Sequence, residues 1–90
     1  MVFSWSDRKN VENVRKHRIA FEDAVRVFDG PVITRVDDRV DYGEFREIAI
    51  GLVDGIEIVV CFTDVGDGRR IISARRATRV ERETFWARIG

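Results

Sequence analysis

The sequence predicts an α+β fold in one domain spanning residues 1–90: two N-terminal helices, a central antiparallel β-sheet and a C-terminal helix. Three observations carry that expectation. Phe21, Ala24, Val25 and Phe28 recur at the helical period. FREIAIGLV (45–53) and IEIVVCFT (56–63) are β-rich runs on either side of Asp54-Gly55, a two-residue turn that suits hairpin twist. Thr78 and Glu81 have the spacing of a capping box at the head of the closing segment.

Taken in order, VFSW (2–5) reads as a short first strand. Ser6 or Asp7 can cap a helix over about 7–17, with Val11 and Val14 on its inner face. The second helix should stop at Asp29-Gly30-Pro31, where glycine allows a left-handed exit and proline has no amide to continue the ladder. VITRV (32–36) is a strand candidate and DDRVDYGE (37–44) a polar loop. In the hairpin, Ile48, Ile50 and Leu52 share one face of the first strand. The second strand is apolar on both faces, with Ile56, Ile58, Val60 and Phe62 on one and Val59 and Cys61 on the other, which marks it as central. DVGDG (64–68) turns into RRIISARR (69–76), and a last helix over 79–89 brings Arg82, Phe85, Trp86 and Ile89 to adjoining positions.

Composition narrows the function. Apolar residues make up 44% of the chain, which argues against disorder, and the formal net charge of zero argues against a globally basic nucleic-acid binder. The neutrality hides an asymmetry. Residues 69–88 hold seven Arg against two Glu, whereas residues 29–47 hold six acids against three Arg. Fourteen of the sixteen basic residues are Arg, the side chain suited to bidentate phosphate or carboxylate recognition. The single cysteine excludes an internal disulfide, and no His/Cys/Asp cluster has zinc spacing, so no metal or other cofactor is expected. With no membrane-length apolar run and no signal peptide legible, a cytoplasmic chain that does not enter the membrane is expected.

The chemistry concentrates in RRIISARRAT (69–78). Strict alternation along this strand puts Arg69 with Arg75 on one face and Arg70 with Arg76 on the other, next to a helix N-terminus at Thr78. Guanidinium groups, amides and the helix dipole converge there on a place for an anion. Structural ion pairing and a solvated sheet edge explain the same residues. His17, the only histidine, lies in RKHRIAF between Lys16 and Arg18 and is either a proton carrier or a helix-end packing residue. Glu47 and Tyr42 are weaker candidates, and Trp5 and Trp86 could stack bases or serve as core or interface anchors.

Set side by side, these segments resemble the BrnT-type toxins, ribonuclease halves of bacterial type II toxin–antitoxin pairs with a RelE-like fold. The resemblance runs through FSWSDRKNVENVRKHRIAFEDAVRVFDGP (3–31), REIAIGLVDG (46–55), VVCFTDVGDGRRIISARRAT (59–78) and ERETF (81–85). Members usually carry Gly directly after the K-H pair, where this chain has Arg18. The resemblance implies a metal-independent endoribonuclease that acts on single-stranded or ribosome-associated RNA and arrests translation. It implies His17, Arg46, Glu47, Arg75 and Arg76 as catalytic candidates, and Lys16, Arg46, Arg69, Arg70, Arg75 and Arg76 as RNA-binding ones. It also implies a BrnA-like antitoxin with a ribbon-helix-helix part, a 2:2 heterotetramer, and operator DNA bound only through that complex. Phe85, Trp86 and Ile89 are the candidate apolar anchors for the antitoxin. The rival reading is a module that binds RNA or a protein through the same arginines without cutting.

Overall fold

The computed structural model describes residues 1–38 and 43–90; the middle of the expected 37–44 loop, Tyr42 included, lies outside them. The elements are β1 (Val2–Ser4), α1 (Asp7–His17), α2 (Phe21–Ala24) running on into a 3₁₀ turn (Val25–Asp29), β2 (Ile33–Val36), β3 (Glu47–Val53), β4 (Ile56–Val65), β5 (Gly68–Arg76) and α3 (Arg79–Ile89). The sheet order is β1-β5-β4-β3-β2, so β4 is central, as its two apolar faces require. Four strands are antiparallel, and β1 adds a parallel edge along β5, which makes the sheet mixed. This is the RelE-like α+β plan, with helices on both faces of the sheet.

Each face has its own core. Phe21, Ala24 and Val27 pack on Ala49, Ile58, Val60, Phe62, Ile71 and Ala74 on one side. On the other, Phe85 of α3 seals Ile48, Ile50, Val59 and Ala77. Asp54 and Gly55 both have positive φ (52° and 78°), the conformation that a two-residue hairpin turn of matching twist demands. At Gly51 a Cβ would lie 2.9 Å from Val27 Cβ, so glycine there is what lets the 3₁₀ turn lie against β3. Thr78 and Glu81 make both bonds of the capping box.

Four local expectations are corrected. The inner face of α1 is polar: Val11 and Val14 are 70% and 39% exposed, whereas Asn13 is buried. Strand β1 covers β5 only at Gly68–Arg70, and beyond it Asn13 takes both backbone groups of Ala74. The second helix tightens to a 3₁₀ turn after one α-helical turn, as short helices often do to satisfy their last carbonyls. Its exit at Gly30 is extended (φ −130°, ψ −163°) rather than left-handed. The 64–68 turn shrinks to Gly66-Asp67, because Asp64 and Val65 still pair in β4 and Gly68 opens β5.

The last correction concerns the arginines. Cys61 pairs with Ser73 and Phe62 with Ile71, so Ile72 is an extra residue in β5. Such a bulge shifts the alternation by one. Arg69 and Arg76 consequently face the α1–α2 side, and Arg70 and Arg75 the α3 side, reversing the pairing that strict alternation gives.

Candidate active site

Helix α1 begins at Ser6, whose side chain accepts from the Lys9 amide, and ends in Arg15, Lys16 and His17; the two fixed cations, Arg15 and Lys16, suit the negative end of the helix dipole. The chain then reverses at Arg18, which adopts φ 60° and ψ 31° and sends its amide to the Val14 carbonyl. That left-handed position is one glycine occupies without strain; arginine there costs about 1 kcal/mol.

Past this turn the surface opens into a cleft of about 480 Å³. His17, Arg18, Ile19 and Asp23 form one wall, and Val53, Asp54, Ile56, Ile58 and Arg76 the other. Arg76 reaches the cleft because it is registered with Ile58 on the α1–α2 face. Both acidic wall residues are engaged by Arg26, whose Nη2 meets Asp54 Oδ1 at 2.5 Å and whose Nη1 lies 3.9 Å from Asp23 Oδ1. The Asp54 carboxylate holds that guanidinium above its ordinary range. Among the described residues, His17, Arg18 and Arg76 of the cleft have no carboxylate partner within ion-pair distance. A bare phosphate fits that charge.

The other arginines of 69–76 are spoken for. Arg69 bonds Asp64 at 3.1 Å and lies 4.7 Å from the ring centroids of both Phe28 and Phe62. Arg70 grips both Glu44 oxygens at 2.8 and 2.9 Å, and Arg46 donates to the same carboxylate at 3.0 Å. The hydrogen bond from Arg46, then the Arg70 charge, hold the Glu44 carboxyl below its ordinary range. Arg75 makes a two-pronged bridge to Glu81 at 2.7 and 2.8 Å. Among the described residues, Arg76 alone of the four has no carboxylate partner.

The expected site residues therefore fall into three groups. His17 and Arg76 share the cleft, with Lys16 one residue away on α1. Glu47 is registered with Phe62, four residues along β4 from Ile58, so it lies about 13 Å up the strand from Arg76, at the same end as Arg46, Arg69 and Arg70. Arg75 is under α3. Of the three candidate antitoxin anchors, Phe85 is fully buried and meets a partner only if α3 leaves the sheet, whereas Trp86 and Ile89 are 45% and 37% exposed. Sequence reasoning missed Asp23 and Asp54 as cleft walls, since nothing local marks them; it missed Arg82 as a neighbour of Arg76, which the register of β5 against β4 alone discloses.

The Arg75–Glu81 bridge fastens α3 to the sheet and makes the fold acid-sensitive. Arg75, together with the Thr78 amide, lowers the Glu81 carboxyl from 4.5 to about 2. A carboxyl depressed in the folded state stabilises the fold fully above its unfolded value and loses that contribution as pH falls toward the folded one. Urea unfolding should therefore show about 2 kcal/mol of stability, after allowance for solvent screening, disappearing between about pH 4.5 and 2. Glu81→Gln should be less stable at neutral pH and lack that part of the acid dependence. An unaltered acid profile would refute the assignment.

No curated protein matches the chain. The family model described as "Ribonuclease toxin, BrnT, of type II toxin-antitoxin system" matches residues 5–81, a span that contains His17, Arg18 and Arg76. The chain belongs to the BrnT family of ribonuclease toxins of type II toxin–antitoxin systems.

Proposed function

We propose that this ribonuclease toxin cuts single-stranded RNA in the cleft between the end of α1 and the end of β5. The observation that carries the reading is that the only arginine of the 69–76 strand without a carboxylate partner among the described residues shares that cleft with the only histidine of the chain. The 2′-hydroxyl of the substrate attacks the adjacent phosphorus while His17 takes its proton. The P–O5′ bond breaks, water returns a proton to the leaving 5′-oxygen, and the products are a 2′,3′-cyclic phosphate and a free 5′-hydroxyl. Arg76, assisted by Arg18, stabilises the charge that builds on the phosphate oxygens. This chemistry needs a base and a cation but no metal.

In the cell this activity arrests translation in the cytoplasm, on free or ribosome-associated RNA, until a BrnA-like ribbon-helix-helix antitoxin covers the cleft. That 2:2 complex then binds the operator through the antitoxin. The solvent-exposed Trp86 and Ile89 support such an interface. Lys16 lies close enough to the cleft to steer RNA, while Arg46, Arg69, Arg70 and Arg75 act through the carboxylates they hold.

The test is cleavage of a mixed-sequence single-stranded RNA in excess chelator. Cyclic-phosphate ends are expected, together with complete resistance after a single 2′-deoxy substitution at the cut. Cleavage of the deoxy strand at the same bond would exclude attack by the 2′-hydroxyl. RNA retained but never cut, with and without ribosomes, would make the chain a binding module instead.

A further inference from the structure

The cleft continues past Arg76. A shallow hollow of about 290 Å³, lined by Gly55, Ile56, Glu57, Arg76, Ala77 and Arg82, shares Ile56 and Arg76 with it. Arg82 is anchored by its bond to the Ala77 carbonyl (3.1 Å) and has no carboxylate partner within ion-pair distance among the described residues. One helical turn later on α3 comes Trp86, 45% exposed. Its indole N–H donates to Glu57 Oε2 at 2.6 Å and its ring rests edge-to-face on Phe85. Glu57 is itself fixed by strand β4, whose carbonyl there accepts the Ala77 amide. An exposed aromatic ring held at both its edge and its N–H has little side-chain entropy left to lose on binding. Two guanidiniums without a carboxylate within ion-pair distance among the described residues lead from the cleft to it, although the Arg82 charge is felt by the Glu57 carboxylate in the same hollow.

Resting on the reading of the cleft given above, we propose that Arg82 and Trp86 form a flanking nucleotide subsite. The substrate is an unpaired RNA strand whose phosphate next to the cut lies between Arg76 and Arg82 and whose base stacks on Trp86. The alternation of cation and aromatic suits a strand with splayed bases; a duplex keeps its bases stacked on each other and cannot present one. Both residues lie beyond residue 81, where the family match ends.

The probe is a mixed-sequence single-stranded RNA of twelve nucleotides made uncleavable by 2′-deoxy substitution, and the same strand annealed to its complement. Trp86→Leu should bind the single strand about tenfold more weakly, whereas Trp86→Phe, which keeps a ring, should stay within about threefold of the unsubstituted chain. Arg82→Gln should reduce the slope of log affinity against log salt by about 0.7, one phosphate contact on a single strand. The duplex should not compete. With cleavable RNA, the loss in Trp86→Leu should appear as a raised KM, about tenfold, in step with the weaker binding of the uncleavable strand. In a Trp5→Phe chain, which leaves Trp86 as the only indole, the probe should quench its fluorescence. That measurement decides the matter even if Trp86→Leu does not fold.

Unchanged affinity in Trp86→Leu, or no quenching of Trp86, overturns the subsite. So does a Trp86→Leu chain that binds RNA normally and only escapes its antitoxin, since the ring would then serve the protein interface alone. These outcomes leave the cleft standing if His17→Ala and Arg76→Ala still lower the cutting rate at saturation by about tenfold or more. Full activity in those two variants would instead refute the cleft.

Discussion

Arg76→Ala should lower the rate of RNA cleavage at saturating substrate by about ten- to a thousandfold while leaving the fold intact. The range corresponds to about 1.4 to 4 kcal/mol of transition-state stabilisation, the usual worth of one cationic donor aimed at a developing oxyanion. Saturation matters to the argument. A guanidinium that merely attracts RNA costs affinity, and excess substrate restores the rate; one that binds the transition state more strongly than the ground state leaves the rate low however much RNA is added. Because Arg76 has no partner among the described residues, its removal strands no buried carboxylate, and unfolding by urea should shift by less than about 0.5 kcal/mol. Single-turnover kinetics beside circular dichroism decide the case. Folded Arg76→Ala with a full rate at saturation removes Arg76 from the chemistry.

The neighbouring substitution is expected to behave oppositely. Arg75→Ala leaves Glu81 without its main partner, loosens α3 and costs stability; the cleft lies across the sheet and keeps His17 and Arg76. On the proposed reading the two adjacent arginines separate into a fastener and a reagent, and the bulge at Ile72 sets which face each takes. Counting alternate residues cannot see a bulge, because the count assumes that every residue has a partner opposite. Its faces are right up to Ile71 and reversed after it.

What was legible in the sequence was what local chemistry dictates. Asp54-Gly55 announces the hairpin because few residue pairs tolerate two positive φ angles, and Thr78 with Glu81 announces α3 because their side chains bond amides three residues apart. Ile48, Ile50 and Leu52 pointed to one face and do pack together there. The parallel docking of β1 on β5 joins segments more than sixty residues apart, and no turn type records it. The same holds for the cleft: His17 was a candidate from its chemistry and Arg76 from its charge, but their meeting depends on how α1 lies against β5. Asp64, Glu44 and Glu81, the carboxylates that occupy the other three arginines, come from a hairpin, a loop and a helix.

That docking depends on one polar side chain, and Asn13→Ala should cost about 3 to 5 kcal/mol. The Asn13 amide donates to the Ile19 and Ala74 carbonyls, each at 2.9 Å, and its oxygen accepts the Ala74 amide at 3.1 Å. It thereby does for the uncovered half of β5 what a sixth strand residue would do, and holds the turn after α1 in the same grip. Removing it leaves three backbone groups without partners, each worth about 1 to 3 kcal/mol when buried, with water at the sheet edge relieving some of the loss. Against the roughly 5 to 13 kcal/mol expected for ninety residues, that is a large fraction. Asn13→Asp separates hydrogen bonding from packing. It has the same shape and still accepts from Ala74, but it presents a carboxylate to two carbonyls, so at neutral pH it should be no better than alanine and should recover as the acid protonates. Since α1 carries His17, saturated cleavage should fall with stability in both variants, although neither touches RNA. Urea midpoints moved by less than about 1 kcal/mol in Asn13→Ala would mean that α1 is held by its other contacts, and that the meeting of His17 with Arg76 does not depend on this asparagine.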